Sequence, residues 1–389
     1  MKTKIIRITT VPVSLKILLK GQHRFMSENG FEVVGVSSSG KELQEIQNEE
    51  GIKTVALEMT RIISPIKDVK ALWNFYILCK KEKPTMVHSH TPKAGIVGML
   101  GAKLAGVPIR LHTVAGMPLM EARGFKRKIL GLVEKVTYSS ASKVYPNSKG
   151  LYDFIVQNNY TQANKLKVIG QGSSNGIDTN HFAPEQVSAE EQSQLKHDLG
   201  IKAEDFVFVF VGRLVGDKGI NELIKAFVDL DDPKIKLLLV GPLESDLDPL
   251  KDSTLTEIEI NKNIISVGFQ KDVRQYFAIA QALVFPSYRE GFPNVVMQAG
   301  AMGLPSIVSN INGCNEIVKE GKNGTIIPVK NAETLKVAMQ KMYSDKNYYN
   351  HLKKNSRLMI RSRYEQSIVW NALLKEYRLL ISDFERKSN

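Results

Sequence analysis

Two short stretches of the sequence place glycine beside charged or amide side chains in a pattern that suits a phosphorylated ligand. The first is Val211–Gly219, in which Arg213 and Lys218 lie between glycines. Glycine allows the backbone to approach a ligand closely, and two cations on one turn can reach the same anion. We therefore predict that this stretch binds a phosphate group rather than presenting two solvated surface charges.

The second stretch is Ser287–Val295, which contains Glu290 and leads into a predicted helix that begins near Pro293. The start of a helix offers unpaired amide groups and the positive end of the helix dipole, and both favour a phosphate. The carboxylate of Glu290 would repel that phosphate but would accept hydrogen bonds from hydroxyl groups, and the amide of Gln298 can bridge two neighbouring hydroxyls. A ligand that carries both phosphate and hydroxyl groups, such as a nucleotide sugar, fits this pattern.

The first half of the chain holds a second group of candidates. His88 and His90 follow a predicted strand, but no carboxylate or cysteine accompanies them at the spacing of a metal site. We therefore expect no metal there. His90 and Lys93, at the start of the next predicted helix, are placed to contact a second substrate or its phosphate.

These residues follow short β-rich runs that alternate with longer helical patterns along the whole chain. The alternation is typical of parallel sheets covered by helices on both faces, in which ligands bind beyond the carboxyl ends of the strands. The fold class is therefore α/β, with one doubly wound architecture used twice. The predicted strands are 4–8, 32–37, 54–57, 86–89, 109–114, 143–146 and 167–169 in the first half, and 206–211, 236–240, 264–267, 282–286, 306–309 and 325–328 in the second.

The length of 389 residues favours two domains. The polar, acidic stretch Ala183–Gln194 has the composition of a linker, so we place the domains at residues 1–188 and 195–365. The two cysteines, Cys79 and Cys314, are far apart and have neither the number nor the spacing of a disulfide framework. This cysteine usage favours a reducing, cytoplasmic compartment.

The net charge of +13 is concentrated in the first half of the chain. Residues 1–190 contain 26 Lys and Arg against 15 Asp and Glu, whereas the rest contains 27 against 25. A basic region of this kind can face nucleic acid, an anionic substrate or an anionic membrane surface. No nucleic-acid recognition motif and no series of stacking aromatic residues accompanies the charge, so we expect no nucleic-acid partner.

The sequence also indicates whether the chain could cross a membrane or rest on its surface. Its longest apolar stretch, Ala94–Ile109, is interrupted by Lys103 and is too short to cross a bilayer, so no transmembrane span is predicted. Arg123 and the basic residues 126–128 lie beside Phe125, a combination typical of a protein that rests on an anionic membrane. An ordinary amphipathic helix with a solvated basic face explains the same pattern equally well.

Taken together, these motifs resemble the retaining glycosyltransferases of family 4, which have the GT-B fold. The resemblance covers nearly the whole chain and is closest to the branch that builds capsule, O-antigen and related bacterial surface glycans on a lipid carrier. It implies two Rossmann-like domains that face each other across a cleft, with a last helix, 366–389, that crosses back to the first domain. The motifs that carry it are Gly212-Arg213-Leu214, Lys218-Gly219, Phe285-Pro286-Ser287, Glu290–Val295, Ala299–Ser309, Gly313–Glu316, Val87–Gly95 and Gly176-Ile177-Asp178.

The resemblance implies roles for individual residues. Arg213 and Lys218 match the pair that holds the donor diphosphate, and Glu290 matches the glutamate that contacts the donor sugar, so these three residues are assigned to catalysis. The residues that match the sugar and phosphate loop of the donor site are Gly291, Phe292, Pro293, Asn294 and Val295.

The sequence departs from the family pattern in the loop after the first strand, where Thr10–Ser14 replaces a glycine-rich loop, and at two single positions. Gln298 stands where the family has a second glutamate that binds ribose; glutamine keeps a hydroxyl-binding group but loses the charge, so we expect a weaker ribose contact. The family histidine that touches the donor sugar near its sixth carbon falls on Ala115. The candidates for contact with the acceptor are His90, Lys93 and His112.

The function that the resemblance implies is transfer of a hexosyl or N-acetylhexosaminyl group from a nucleoside-diphosphate sugar, with uridine as the favoured base. The acceptor would be a glycan or a polyprenyl-diphosphate-linked saccharide, and neither a cofactor nor a metal is expected. The expected location is cytoplasmic, on the inner face of the plasma membrane, with the basic first domain on the anionic surface. Two alternatives stay open: a GT-B nucleotide-sugar epimerase, which needs no acceptor, and a non-catalytic nucleotide-sugar-binding protein.

Overall fold

The computed structural model describes residues 2–388 except 63, 121, 245 and 247. The chain divides into two compact units, of which the first contains residues 1–176 and 367–389 and the second contains residues 177–366. The change from the first unit to the second lies after residue 176, earlier in the chain than the boundary at 188 that composition indicates.

The first unit alternates strands and helices from its first residues onward. Its elements in the first part of the chain are β1 (Thr3–Ile8), α1 (Pro12–Leu18), α2 (Gln22–Glu28), β2 (Phe31–Ser37), α3 (Lys41–Glu50), β3 (Lys53–Ala56), α4 (Pro65–Glu82), β4 (Met86–Ser89), α5 (Pro92–Leu104), β5 (Ile109–Val114), α6 (Gly124–Ser140), β6 (Lys143–Pro146) and α7 (Lys149–Gln157).

These strands form one six-stranded sheet in the order β3-β2-β1-β4-β5-β6, and every pairing in it is parallel. The strand order reverses between β1 and β4, which is where open α/β sheets bind their ligands. The loops after these two strands touch there, because the Thr10 amide donates to Thr91 Oγ1 at 2.9 Å.

The second unit repeats this arrangement. Its elements are α8 (Ala189–Asp198), β7 (Phe206–Val211), α9 (Ile220–Val228), β8 (Ile235–Val240), α10 (Asp252–Ile260), β9 (Ile264–Ser266), α11 (Arg274–Ile279), β10 (Ala282–Phe285), α12 (Asn294–Ala301), β11 (Ser306–Ser309), α13 (Cys314–Ile317), β12 (Gly324–Ile327), α14 (Ala332–Ser344) and α15 (Lys346–Tyr364).

The second sheet is also parallel and has the order β12-β11-β10-β7-β8-β9, so its strand order reverses between β7 and β10. The central strand β7 consists only of Phe and Val, and its four middle residues are buried. A strand covered by helices on both faces has no solvated side, which explains the absence of alternating polar residues in this run. The predicted α/β class and the two doubly wound sheets are confirmed.

The last helix, α16 (Gln366–Ser388), belongs from residue 367 onward to the first unit. Leu373, Leu374 and Tyr377 of this helix are buried against the face of the first sheet that α1, α2 and α3 also cover. The opposite face packs against α4, α5 and α6. Among the described residues, no helix combines the length and the apolar character that are needed to span a bilayer.

Polar contacts of α16 reach β4, in the middle of the first sheet, and β6, at its edge. Tyr377 Oη lies 2.5 Å from His88 Nδ1, and Tyr145 donates a hydrogen bond of 3.2 Å to Glu376. Burial raises the pKa of the Tyr377 hydroxyl, so the hydroxyl stays protonated at neutral pH. The first unit is therefore built from both ends of the chain.

Three sequence expectations differ from the structure. The stretch Ala183–Gln194 lies inside the second unit, and its later part belongs to α8, which begins with a capping box between Ser188 and Glu191. The expected strand 167–169 is absent from the described structure; nearby there is only a single bridge, between Val144 and Leu166. Residues 15–29, whose sequence pattern predicts one continuous helix, belong to two helices, because Gly21 adopts a left-handed backbone conformation with φ of 78° between them.

The Tyr377 contact generates a stability prediction. Replacement of Tyr377 by Phe leaves the buried Nδ1 of His88 without its partner, which is expected to lower the free energy of unfolding by about 1–3 kcal/mol. Urea unfolding of the full chain, followed by circular dichroism, measures the change. Tyr152→Phe, at the edge of the same unit's core, is the control; an equal loss in both variants would contradict a specific role for the Tyr377 hydroxyl.

Candidate active site

The residues singled out in the second unit come together where its strand order reverses. Arg213 and Lys218 follow β7, and Glu290 follows β10, the neighbouring strand. Because the carboxyl ends of parallel strands meet at one edge of a sheet, the two loops lie side by side. The Tyr288 amide donates to the carbonyl oxygen of Asp217 at 2.8 Å and joins the loops directly.

Glycine makes this close packing possible. A Cβ atom at Gly219 would lie 2.3 Å from the carbonyl oxygen of Pro286, and one at Gly241 would lie 1.8 Å from that of Gly212. Both distances are far below van der Waals contact, so only glycine fits at these two positions. The turn after β7 is thereby held against the loops that follow β8 and β10.

Lys218 and Glu290 form an ion pair at the centre of this site. Lys218 Nζ lies 2.5 Å from Glu290 Oε1, and only 15% and 17% of the two side chains are exposed. Ser287 donates a hydrogen bond of 3.1 Å to the same carboxylate oxygen. The site therefore contains a cation suited to phosphate and a carboxylate suited to hydroxyl groups in direct contact.

Arg213 has a different partner. Its Nη1 atom lies 3.0 Å from Oε2 of Glu244, and the pair is more exposed than the one between Lys218 and Glu290. Arg213 and Lys218 are thus on the same loop, as their spacing indicates, but they contact two different carboxylates. A bound diphosphate would have to draw both cations away from these partners.

The loop from Gly291 to Pro293 leads into α12, which begins at Asn294 without a side-chain cap. Phe292 and Pro293 are buried, whereas Asn294 is exposed and Val295 is partly buried, so the first amide groups of the helix lie at the surface of the site. Gln298 lies one turn further along α12 and is half-buried. The expected donor-loop residues are therefore contiguous with Glu290.

Sequence reasoning missed two residues that support or border this site. The Asn312 side chain donates to the carbonyl oxygens of Gly291 at 2.7 Å and Glu290 at 3.2 Å, and so holds the donor loop from outside. Phe269, three residues after the end of β9, is 73% exposed beside Gly268, whose carbonyl oxygen accepts a hydrogen bond from the Gly241 amide at 2.8 Å. The available signals were the Asn-Gly pair at 312–313 and an aromatic residue next to a glycine at a strand end.

The candidates of the first unit are less accessible than their sequence positions suggest. His112 is buried, with Nδ1 at 2.8 Å from Ser89 Oγ, and burial lowers its pKa to about 4. Lys93 forms an ion pair of 2.5 Å with Asp68. Both side chains thus have partners within the first unit, and their expected contact with an acceptor stays a prediction.

His90 is also buried, but it differs from Lys93 and His112 in its hydrogen bonding. Its ring lies 4.1 Å from that of His88, and neither of its buried nitrogen atoms has a hydrogen-bond partner within the described part of the chain. It lines a cavity of about 20 Å³ together with Asn147 and Ser174, whose side-chain oxygens also have no partner among the described residues. A cavity of this size and polarity can hold a water molecule.

Comparison with known proteins identifies the family. Residues 24–172 match the model of the glycosyl transferase 4-like domain, and residues 191–359 match that of the glycosyl transferases group 1. The capsular polysaccharide biosynthesis glycosyltransferase CapM of Staphylococcus aureus is 33% identical over 386 residues, which cover 99% of each chain. This chain belongs to the group 1 glycosyltransferases.

A second relative and a solved structure agree with this. The UDP-Gal:alpha-D-GlcNAc-diphosphoundecaprenol alpha-1,3-galactosyltransferase of Escherichia coli is 34% identical over 77% of this glycosyltransferase and 76% of its own length. The crystal structure of Anabaena Alr3699/HepE in complex with UDP and glucose superposes with a TM-score of 0.80 at 19% identity, over 97% of this chain and 99% of the other. The glycosyltransferase has the GT-B fold, as expected, and is an enzyme.

The donor-side candidates of the glycosyltransferase all lie within the segment that matches group 1, residues 191–359. Their individual roles stay predictions. Within the described ranges, no group of three or more His, Cys, Asp or Glu side chains is arranged to hold a metal ion.

The buried histidines of the glycosyltransferase predict how its stability depends on pH. Burial, with the nearby charge of Arg7, holds the pKa values of His23, His88 and His90 well below the ordinary value, and burial alone lowers that of His112. The unfolded chain therefore binds more protons than the folded protein below about pH 6.5. Stability is expected to fall by about 1.4 kcal/mol per pH unit for each such histidine as the pH drops from 6.5 toward the folded-state pKa.

Urea unfolding between pH 7.5 and 5 measures this slope. His112→Asn removes one of these histidines, so the free energy of unfolding is expected to depend less steeply on pH. This holds even if the substitution also changes the stability at pH 7.5. His351→Asn, at an exposed position of α15, is expected to leave the slope unchanged. A slope that is the same in all three proteins would show that His112 does not titrate differently in the folded and unfolded states.

Proposed function

We propose that this enzyme transfers a sugar from a nucleoside-diphosphate sugar, with uridine as the base, to a lipid-linked acceptor in the synthesis of a bacterial surface polysaccharide. The names of its relatives support this: one is a capsular polysaccharide glycosyltransferase, and the other uses UDP-Gal and a diphosphoundecaprenol-linked acceptor. The transferred group is a hexosyl or N-acetylhexosaminyl residue, and the acceptor carries a polyprenyl diphosphate.

The observation that carries the proposal is the pairing of Lys218 with Glu290 beside the start of α12. During transfer the bond between the anomeric carbon and the phosphate oxygen breaks, and negative charge develops on that oxygen. Lys218, Arg213 and the first amides of α12 are proposed to stabilise this charge in a partly enclosed position, where electrostatic contacts are stronger than in water. Glu290 is then free to accept hydrogen bonds from the sugar.

The acceptor hydroxyl is proposed to attack the anomeric carbon from the face that the diphosphate leaves, so that the anomeric configuration is retained. The new bond joins the acceptor oxygen to the anomeric carbon, and the departing phosphate takes the acceptor proton. In this scheme Glu290 orients the sugar and forms no covalent bond to it. Gln298 is assigned to the ribose hydroxyls, since its amide both donates and accepts hydrogen bonds.

Substitution of Lys218 tests the proposal. Lys218→Met removes one charge from the leaving-group site and is expected to lower kcat by about 100-fold to 1,000-fold, as the loss of one stabilising group does in comparable sites. The assay follows the mass of the lipid-linked product formed from a panel of UDP-sugars. Lys225→Met, at an exposed position of α9, is the matched control and is expected to keep full activity.

The same assay separates the alternatives. Turnover that needs no acceptor would indicate an epimerase, and nucleotide-sugar binding without turnover would indicate a binding protein. Unchanged turnover in the Lys218→Met and Arg213→Met double variant would overturn the assigned site.

We further propose that the enzyme works at the inner face of the plasma membrane and contacts anionic lipid through α6. Phe125 and Leu132 of this helix are 78% and 64% exposed, and they lie beside the exposed residues Arg123, Lys126 and Lys128. Exposed apolar side chains flanked by cations favour an anionic bilayer surface, where each basic residue contributes about 1 kcal/mol.

Charge reversal tests this contact. The triple variant Arg123→Glu, Lys126→Glu and Lys128→Glu is expected to weaken binding to anionic vesicles at least tenfold in a flotation assay. The control reverses three exposed lysines of the second unit: Lys322, Lys346 and Lys354. If both triple variants float like the unmodified protein, α6 does not bind the membrane.

A further inference from the structure

Helix α4 carries a stripe of large apolar side chains that its own unit leaves exposed. Ile66, Val69, Trp73 and Ile77 are 87%, 68%, 59% and 49% exposed. Their spacing of three and four residues places them on one face of the helix. Ile62, just before the helix, extends the stripe and is 73% exposed.

The opposite face of α4 already supplies the core contact. Ala71, Phe75 and Cys79 are buried against the first sheet and α5. A surface helix of a globular protein normally has a single apolar stripe, which faces the core. The apolar stripe on the outer face of α4 is therefore not needed to hold the helix in place, and it presents an apolar patch to the surroundings.

The charges beside the stripe are almost all positive. Both acidic residues of α4 are engaged: Asp68 pairs with Lys93 at 2.5 Å, and Glu82 pairs with Lys53 at 2.6 Å and with Lys4 at 3.0 Å. By contrast, four exposed lysines of the helix form no ion pair with any described carboxylate. These are Lys67, Lys70, Lys80 and Lys81.

Three of these lysines border a groove of about 750 Å³ between α4 and the loop that follows β3. Lys67, Lys70 and Lys81 line it together with apolar side chains such as Ile77. The acidic residue in its lining, Glu58, accepts a hydrogen bond of 3.1 Å from the Ser39 amide. The groove thus offers cations above an apolar floor, a combination that suits anionic lipid headgroups.

We propose that α4 is a second membrane-binding helix, which lies in the plane of an anionic bilayer surface with the stripe Ile66, Val69, Trp73 and Ile77 inserted at the boundary of headgroups and acyl chains. The unpaired lysines then contact lipid phosphates, and the ring of Trp73, stacked on Tyr76 at 5.2 Å, occupies the interface. A second copy of the chain is a poorer occupant, because joining two such faces would bring two sets of unpaired lysines together.

The position of α4 in the fold agrees with this occupant. Helices α4 and α6 both pack against α5 and contribute to the same core cluster, so they lie in one layer on one face of the first sheet. The inference rests on the proposed function only for its biological purpose, because an enzyme that acts on a lipid-linked acceptor works at a membrane. The evidence for binding through α4 is the exposure and charge of its own side chains.

The chain contains two tryptophans, which makes the contact measurable without a label. Trp73 is on the stripe, whereas Trp370 donates a hydrogen bond of 2.7 Å to Asn175 within the first unit. Vesicles of phosphatidylcholine with phosphatidylglycerol are expected to shift the tryptophan emission of the full chain to shorter wavelength, and brominated lipid is expected to quench it. The shift is expected to persist in Trp370→Phe, to vanish in Trp73→Phe, and to be absent with pure phosphatidylcholine.

Affinity provides the second measurement. The double variant Ile66→Gln and Val69→Gln is expected to bind anionic vesicles at least tenfold more weakly, whereas Val337→Gln with Leu358→Gln, at positions 57% and 59% exposed in the second unit, is expected to bind normally. Vesicle binding without any change in Trp73 emission would overturn the proposal. So would a blue shift that appears on raising the protein concentration without lipid, which would identify a second copy as the occupant.

Sugar transfer to an acceptor dissolved in detergent separates the two proposals. The α4 variants are expected to keep this activity, since none of their substitutions lies in the donor site. Loss of transfer in the unmodified protein would contradict the proposed function and leave the membrane contact standing. Normal transfer combined with unaltered vesicle binding in the Ile66→Gln and Val69→Gln variant would contradict the membrane contact alone.

Discussion

The proposed donor site depends on the contact between Lys218 and Glu290, two residues that are 72 positions apart in the chain. Each charge lowers the cost of placing the other in a mostly enclosed position, and removal of one partner would leave the other uncompensated. A ligand that replaces this contact must therefore offer an anion to the lysine and hydrogen-bond donors to the carboxylate. A sugar joined to a diphosphate supplies both, whereas a free phosphate would engage Lys218 without offering Glu290 the hydroxyl groups of a sugar. The ion pair would therefore favour ligands that combine a diphosphate with a sugar over ligands that carry only one of these groups.

Local patterns in the sequence were sufficient to predict the two sheets and the loops that carry Arg213, Lys218 and Glu290, because the strands are continuous apolar runs and these loops follow them; the roles of the three residues stay predictions. They could not predict which carboxylate each cation contacts, since Glu244 and Glu290 reach the site only through the pairing of β7 with β8 and β10. Asn312 was missed for the same reason. At Lys93 the local pattern indicated a ligand contact, and it could not show that Asp68 of the preceding helix forms an ion pair with this lysine. The capping box of Ser188 and Glu191 is a local signal for the start of a helix. The polar composition of the same stretch instead indicated a linker, and that interpretation was wrong for α8.

The first unit cannot be completed until the end of the chain has been made. Its sheet is formed by residues before 147, yet the hydroxyl that meets His88 belongs to α16, and the whole second unit lies between them in the chain. Contacts of such sequence separation carry a large loop-closure cost and form slowly. Around this contact the first unit buries Arg7 and several histidines, and burial lowers the pKa of His88, so this region is expected to lose stability as the pH falls. The organisation that joins the two ends of the chain is therefore also expected to limit the stability of the fold in acid.

The uneven distribution of charge acquires a physical meaning once exposure is known. In the sequence, the apolar residues of α4 at three- and four-residue spacing cannot be distinguished from a core-facing stripe, because two apolar stripes on opposite faces both fit a helical period. Burial separates them: Phe75 is fully buried and Trp73 is 59% exposed. The excess of basic residues then lies on the unit that carries the apolar stripe of α4, while in the nearly neutral second unit two cations, Arg213 and Lys218, are proposed to hold the substrate. In the two proposals, general attraction to an anionic surface and specific recognition of a diphosphate thus belong to different units, so that lipid phosphates would not compete for Arg213 and Lys218.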